Sequence, residues 1–234
     1  MEPATTLLSP KTSVLQSFAL FADVSASDCA SIVASAREKR FARRQNIFSE
    51  GEPVRYVTLL LSGCVKITQI GVNGTEVILR LNGTGEVVGA FRLCADCTHC
   101  STAQAVQPSI ALVWDAATFE RLLERYPAFR RNTVRALEER LQEMEQRFRE
   151  VSTERVGSRL SSELVRLTNR LGRPSEGHLE ITLSRAELAQ LTGTTLFTVS
   201  RLLCQWQTLG IVKIRREAVL VRDFAALTQL SQSE

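Results

Sequence analysis

The spacing of apolar residues divides the chain into successive segments with different periods. Residues 18–41 carry apolar positions at helical spacing and predict short helices, one of which begins near Asp28. Between residues 45 and 114, short apolar runs such as 57–61 and 77–81 alternate with turns rich in glycine and asparagine. This second segment predicts a compact antiparallel sheet that closes into a β-roll.

After Asp115 the apolar pattern becomes that of one long helix. Its apolar residues are three and four positions apart, and charged residues fill most positions between them. So narrow a stripe is typical of a two-stranded coiled coil, whereas a helix packed on its own domain usually has a broader one. We expect the stripe to form the interface of a symmetric homodimer. Its residues are Val134, Leu137, Leu141, Met144, Phe148 and Val151.

The last third of the chain predicts a helix-turn-helix. An amphipathic helix at 155–171 precedes it, and Ser184 and Glu187 then have the spacing of a capping box. Gly193 supplies the positive φ that a tight turn between two helices requires. Thr195 is placed to cap the second helix, which runs to about residue 208.

A wing and a set of candidate DNA contacts accompany this pair of helices. The alternating segment 212–215 and the apolar run 219–221 predict a hairpin, as in a winged helix-turn-helix. Arg201 can form paired hydrogen bonds to a guanine or can bind a phosphate, whereas Leu196 and Phe197 can contact only a thymine methyl group. A helix pair used for protein contact is the alternative. The candidate DNA-binding residues are Thr194, Thr195, Leu196, Phe197, Thr198, Ser200 and Arg201.

Composition and charge are consistent with this organisation. The chain has 234 residues, of which 44% are hydrophobic, so it has room for two modest domains. Its formal net charge of +4 suits a polyanionic partner. Residues 1–17 contain no sustained apolar run and predict a flexible N-terminus. The longest apolar run, at 57–61, is too short to span a bilayer, so we expect a cytoplasmic protein without membrane contact.

The motifs and their order resemble the CRP/FNR family of bacterial regulators over nearly the whole chain. The matching segments are 20–22, 47–51, 61–68, 85–89 and 188–201. The resemblance implies an α+β protein: a β-roll sensor at 18–117 in the jelly-roll form of cyclic-nucleotide-binding domains, a dimerisation helix at 118–151 and a winged helix-turn-helix DNA-binding domain at 152–234. It also implies two partners, a palindromic promoter site in double-stranded DNA and RNA polymerase.

The chain departs from the cyclic-AMP-binding members where they hold the nucleotide. In those members a glutamate follows the second glycine of the roll motif and an Arg-Ser pair holds the phosphate, whereas here Ala90 follows Gly89 and residues 100–101 are Cys-Ser. Losing a buried guanidinium removes the hydrogen bonds that would offset desolvation of the phosphate. Met144 and Glu145 also replace small hydroxyl residues of the dimer helix. We therefore expect no binding of cyclic AMP.

Two further departures concern the signal and the operator. The family's oxygen sensors hold an iron-sulphur cluster through cysteines close to the N-terminus, and this chain has no cysteine before Cys29. Leu196 and Phe197 replace an Arg-Glu pair that is common in the recognition helix of the family. The signal and the operator sequence are therefore both expected to differ from the familiar ones.

A cysteine cluster is the candidate sensor. Cys94, Cys97, His99 and Cys100 place three thiols and one imidazole within seven residues. Three interpretations stay open: an iron-sulphur or zinc site completed by Cys29, Cys64 or a partner subunit; a thiol switch that forms a reversible disulfide; or an incidental cluster in a surface loop. Haem ligation through His99 is a further alternative.

The function predicted from these features is that of a DNA-binding transcription regulator. Its sensor domain is expected to respond to a redox, metal or gas signal. An enzyme is not expected, because the sequence contains no Ser-His-Asp set, no paired carboxylates and no phosphate loop. The alternative is a dimeric β-roll that binds a ligand or acts as a scaffold without binding DNA.

Overall fold

A computed structural model describes residues 14–91 and 97–232 and has the predicted α+β architecture of β-roll, long helix and winged helix-turn-helix. The chain divides into two compact units. The first contains the described residues up to Ile67 together with those of Leu81–Leu141, and the second contains Thr68–Arg80 and the described residues from Gln142 onward. Within the described ranges, every helix is either too short or too polar to cross a lipid bilayer.

Two antiparallel sheets form the roll, with strand orders β1-β8-β3-β6 and β2-β7-β4-β5. A short 3-10 helix at Ala19–Phe21 precedes them. The elements that follow in this part of the chain are α1 (Ala26–Ala34), β1 (Arg37–Phe41), β2 (Asn46–Phe48), β3 (Tyr56–Ser62), β4 (Val65–Ile70), β5 (Glu76–Asn82), β6 (Val87–Val88), β7 (Thr102–Ala105), β8 (Ser109–Asp115), α2 (Ala116–Arg125) and α3 (Pro127–Thr153).

Strand β1 corrects the prediction of short helices throughout 18–41. It pairs with β8 in antiparallel register, from Arg37 opposite Val113 to Phe41 opposite Ser109. Only Phe41 of this strand is buried, and the other four residues are charged and exposed. A strand with a single apolar position has no alternation to detect in sequence. This segment is a strand because its backbone pairs with β8, and its own side chains do not indicate it.

Aromatic packing builds the core of the first unit. The Trp114 indole nitrogen donates a hydrogen bond of 3.0 Å to the backbone oxygen of Ile32, and its ring meets Phe119 edge to face. Phe119 in turn packs against Phe129 with 5.5 Å between ring centroids. Leu15 is buried in the same core, so the segment predicted to be flexible, 1–17, contributes to the fold from at least this residue.

The dimerisation helix predicted at 118–151 is divided into two helices. Tyr126 leaves the helical region, with φ −117° and ψ 91°, because the ring of Pro127 disfavours helical geometry in the residue before it. Pro127 is then the first residue of α3, a position that suits proline since no helical N–H is lost there. Helix α3 therefore has its own start.

The second unit contains the predicted helix-turn-helix and wing. Its sheet has the order β11-β12-β10-β9, and α7, which was not predicted, packs against α4. Strand β9 was not predicted either, because it is short and contains Pro174. The elements are α4 (Val156–Leu171), β9 (Arg173–Ser175), β10 (His178–Ile181), α5 (Arg185–Thr192), α6 (Leu196–Thr208), β11 (Val212–Ile214), β12 (Val219–Val221) and α7 (Phe224–Ser231).

The tip of the β4–β5 hairpin belongs to this second unit. Glu76 accepts a hydrogen bond of 2.9 Å from the side-chain amide of Gln190 in α5. Arg147 of α3 donates to the backbone oxygens of both Leu79 and Leu191. These hydrogen bonds connect the hairpin tip to the first helix of the helix-turn-helix, directly and through Arg147.

A buried ion-pair network joins α3 to α4 in the second unit. The Arg166 guanidinium forms hydrogen bonds of 2.7 and 2.8 Å to both carboxylate oxygens of Glu150, and one of 2.7 Å to Glu163. Both carboxylates are buried. Burial alone would raise the pKa of Glu150, but the hydrogen bond and charge of Arg166 hold it below its usual range. Arg166 is therefore the ion-pair partner that the two acids share.

Candidate nucleic-acid interface and sensor loop

The first helix of the pair begins with the predicted capping box. Ser184 Oγ accepts a hydrogen bond of 3.2 Å from the backbone N–H of Glu187, and the Glu187 carboxylate accepts one of 2.8 Å from the backbone N–H of Ser184. Two donors that the helix would otherwise leave unpaired are satisfied in this way. Leu188 and Leu191 then anchor α5 in the core of the unit. The N-terminus of α5 is therefore fixed.

The turn between the helices is also as predicted. Gly193 adopts the left-handed conformation, with φ 62° and ψ 43°, immediately after α5. Thr195 Oγ1 accepts a hydrogen bond of 3.1 Å from the backbone N–H of Thr198, and so caps α6. The angle between the two helices follows from these two residues.

Helix α6 has one buried and one exposed side. Val199, Leu203 and Trp206 are buried, whereas Leu202 is half-buried. All seven candidate DNA-binding residues lie in the turn or the first half of α6, and none is buried. The side chains of Leu196 and Phe197 are 52% and 79% exposed.

The wing supplies one basic residue that sequence reasoning did not select. Arg215 forms ion pairs with Glu176 and Glu180, and Lys213 pairs with Glu176 at 3.3 Å. Hydrogen bonding from Lys213 and the charge of Arg215 lower the pKa of Glu176. Arg216 is exposed in the turn between β11 and β12. A basic residue in the turn of a predicted wing is a signal that could have identified it.

The predicted dimer stripe is largely exposed on α3. Phe148 is 77% exposed, and four of the other five residues are also classed as exposed. Leu137 differs, because it is partly buried against the core of the first unit. Exposed apolar side chains at this spacing mark an interaction surface. The exposed members are Val134, Leu141, Met144, Phe148 and Val151.

The described part of the cysteine cluster is held against the loop after β2. The backbone oxygen of His99 accepts a hydrogen bond of 2.7 Å from Gly51, and that of Cys97 accepts one of 3.0 Å from Val54. Cys97 is half-buried and Cys100 is exposed. Cys94 lies outside the described residues. The two described thiols therefore sit on a loop fixed by its backbone.

No set of three potential metal ligands comes together within the ranges 14–91 and 97–232. Cys29, considered as a further ligand, is fully buried in the apolar core, and burial raises the pKa of its thiol. Because metals bind the thiolate, this environment opposes ligation by Cys29. Cys64 is buried too. A metal at the cluster would thus require Cys94 or a second chain.

His99 is a packed residue beside a cavity. Its ring stacks on Phe48 with 3.6 Å between centroids and 6° between planes. Burial lowers the pKa of His99, and the charge of Glu52 opposes this only in part. A cavity of about 460 Å³ opens next to it, lined by aromatic residues and by basic Lys39 and Arg55 among others. Cavities of this size can hold a small ligand.

The residues at the expected nucleotide position do not fit a cyclic phosphate. Gly89 has φ 78°, and a Cβ there would be only 2.4 Å from Cζ of Phe48, so this aromatic ring covers the glycine. Cys100 is exposed, and a thiol cannot supply the positive charge of a guanidinium. Arg140 donates to the backbone oxygens of Gly89 and Val87 and lies over the Phe91 ring. Its guanidinium is thus already engaged.

Comparisons with known proteins agree with the order of the two domains along the chain. The profile of the cyclic nucleotide-binding domain matches residues 38–126, and that of the Crp-like helix-turn-helix domain matches residues 158–230. The chain is 25% identical to the CRP-like cAMP-activated global transcriptional regulator of Mycobacterium tuberculosis, with 92% of this chain and 97% of that protein aligned.

Two other proteins are similar to most of the chain. Electron transport regulator A of Shewanella oneidensis is 25% identical, over 83% of this chain and 78% of that protein. The structure of FixK2 from Bradyrhizobium japonicum superposes with a TM-score of 0.74 at 22% identity, covering 85% of this chain and 98% of that one. The fold is therefore shared well beyond the helix-turn-helix.

Proposed function

We propose, from the premise that the chain belongs to the CRP/FNR family of transcription regulators, that it is a homodimer which reads a palindromic promoter site in double-stranded DNA. The observation that carries this proposal is the exposed outer side of α6, which is capped by Thr195 and presents Arg201. Recognition helices of this class enter the major groove. RNA polymerase is the partner we expect at the promoter.

The proposed contacts divide by chemistry. Arg201 bonds in bidentate fashion to a guanine edge, while Thr194, Thr195, Thr198 and Ser200 donate to phosphates. Arg216 of the wing adds a phosphate contact. Because these contacts release bound cations from DNA, affinity should fall steeply as salt rises.

Dimerisation would place two copies of α6 in successive grooves. The exposed stripe on α3 supplies an apolar surface for a second copy, and the symmetry of a coiled coil matches a palindrome. Half-sites about 34 Å apart are expected for such a dimer. Leu137 contributes less than the other stripe residues, because the core of its own chain already covers part of it.

For the signal, we propose thiol or metal chemistry at the cysteine cluster in place of a cyclic nucleotide. Of the described thiols, Cys97 is half-buried and Cys100 is exposed, and Cys100 stands where the cyclic-AMP-binding members carry the arginine that holds the phosphate. In the thiol version, two thiols lose two protons and give two electrons to an external oxidant as a disulfide forms. In the metal version, Cys94 completes the ligand set.

A gel-shift assay tests the DNA-binding proposal. Its probe is duplex DNA that the full chain has enriched from a random pool. Arg201→Ala should cost about 1–3 kcal/mol of binding free energy and relax specificity at one base pair. Arg121→Ala, which removes an exposed arginine of α2, is the matched control and should leave binding unchanged. A protein that enriches no DNA would instead be the scaffold or ligand-binding β-roll.

The signal proposal needs its own experiment. Anaerobic purification with an absorption spectrum and metal analysis separates a metal or cluster from thiol chemistry. In the thiol version, oxidation should change DNA affinity in the wild type and not in Cys97→Ser. Cys204→Ser serves as the comparison, because that thiol is exposed on α6. A micromolar dissociation constant for cyclic AMP in calorimetry would contradict the proposal.

A further inference from the structure

The start of α6 exposes two large apolar side chains to solvent. Leu196 and Phe197 are its first two residues, and they are 52% and 79% exposed. The buried side of α6 already holds Val199, Leu203 and Trp206, so neither residue is needed for that packing. Apolar side chains held at this exposure on a well-capped helix mark a contact surface.

Phe197 shares its side of the helix with Arg201. The two residues are four positions apart, which is about one helical turn, so their side chains are neighbours on the surface. Both are exposed, and Ser200 beside them is partly so. Under the proposed function, on which this inference rests, the groove that receives Arg201 therefore also receives Phe197.

A major groove offers an apolar side chain only one kind of apolar partner. The edges of the base pairs present hydrogen-bond donors and acceptors, and the C5 methyl group of thymine is the exception. Placing a phenyl ring against the amino group of cytosine would leave that donor without a partner, which is unfavourable. Phenylalanine and leucine side chains carry no donor or acceptor that could compensate.

We infer that Leu196 and Phe197 are specificity-determining residues that read thymine methyl groups in each half-site. Four residues of helix rise about 6 Å, and base pairs are spaced about 3.4 Å apart, so the thymine should lie about two base pairs from the guanine bound by Arg201. The half-site thus combines a charged contact to guanine with an apolar contact to thymine. A 5-methylcytosine presents the same methyl group at the same position of the ring.

The test replaces single thymines of the selected site by deoxyuridine, which removes only the methyl group. Affinity of the full chain for labelled duplexes is measured by fluorescence anisotropy at fixed salt. At one or two positions per half-site the substitution should weaken binding about fourfold, the factor expected for removing one methyl-sized apolar group from a contact. At all other thymines it should change little.

Protein variants assign the effect to the residue. With Phe197→Ala, thymine and uracil at the sensitive position should bind equally well. Leu209→Ala, which truncates a leucine that is 63% exposed just beyond the other end of α6, should keep the thymine preference. A thymine preference that survives in both Phe197→Ala and Leu196→Ala overturns the inference.

Failure of this inference is distinguishable from failure of DNA binding. If uracil is tolerated at every thymine while Arg201→Ala still weakens binding, the chain binds DNA but does not read methyl groups, and only the inference is refuted. If no site is enriched from the random pool, DNA binding itself is refuted, and the inference with it.

Discussion

Replacing Gly89 by alanine should destabilise the first unit more than the same change at Gly51. Both glycines have left-handed backbone conformations, with φ 78° and 83°, and both lie in that unit. They differ in their surroundings. A Cβ at Gly51 would meet no atom within 4 Å, whereas one at Gly89 would be 2.4 Å from Cζ and 2.6 Å from Cε1 of Phe48.

Two effects, backbone strain and steric overlap, contribute to the expected loss of unfolding free energy. A side chain in the left-handed region costs about 1–2 kcal/mol, and both variants should show this loss. Forcing an extra methyl group into a packed site adds about 1–3 kcal/mol, and only Gly89→Ala should show it. Phe48 is buried and stacked on His99, so its ring cannot move aside without disturbing that pair.

The measurement is urea unfolding of the full chain followed by tryptophan fluorescence. The chain has two tryptophans, and in a Trp206→Phe background the signal comes from Trp114, which is fully buried in the first unit. Combining Gly89→Ala with Phe48→Leu should recover part of the extra loss, because leucine lacks the outer ring atoms. Equal losses in Gly89→Ala and Gly51→Ala would refute the assignment of Phe48 as the group that covers Gly89.

The remaining predictions concern the second unit and the proposed dimer. Arg166→Met leaves Glu150 and Glu163 buried without their cation and should cost about 3–5 kcal/mol in urea unfolding at pH 7; a loss below 1 kcal/mol would contradict the buried network. The pKa of Glu150 is lower folded than unfolded, so its stabilisation is complete above the unfolded pKa, near 4.3, and is lost as pH falls through the folded value. In Glu150→Gln the loss of stability between pH 6 and about pH 3 should therefore be smaller; an unchanged pH profile would argue against the depressed pKa. Ser184→Ala removes the cap of α5 and should cost about 1 kcal/mol, measured by thermal unfolding, with Ser231→Ala near the end of α7 as a milder comparison. Phe148→Glu should shift sedimentation towards a monomer, and an unchanged dimer would exclude the stripe on α3 as the interface.

The sequence predicted elements whose signals are local. The capping box at Ser184, the left-handed Gly193 and the Thr195 cap each depend on residues within three or four positions, and all three are present in the structure. The break at Tyr126 also had a local signal in the proline that follows it. The prediction of a single helix at 118–151 followed the apolar pattern and did not take this proline into account.

Other features depend on residues far apart in the chain and could not be predicted in the same way. Strand β1 exists because β8 pairs with it across more than 60 residues. Phe48, Gly89 and His99 come from three separate segments, and no periodicity indicates that one ring covers the glycine and stacks on the imidazole. The candidate DNA contacts were predictable from α6 alone, whereas the surroundings of the cysteine loop were not.

The attachment of the β4–β5 hairpin to α5 limits how this protein can be divided or recombined. A fragment that starts at residue 152 would leave behind Arg147 and Glu76, and with them the hydrogen bonds to Leu191 and Gln190. A chimera that received the β-roll of another protein would need a hairpin of matching length, with an acceptor at position 76. The boundary between the two compact units is therefore discontinuous in sequence, and exchange of one unit between relatives has to preserve two separated segments together.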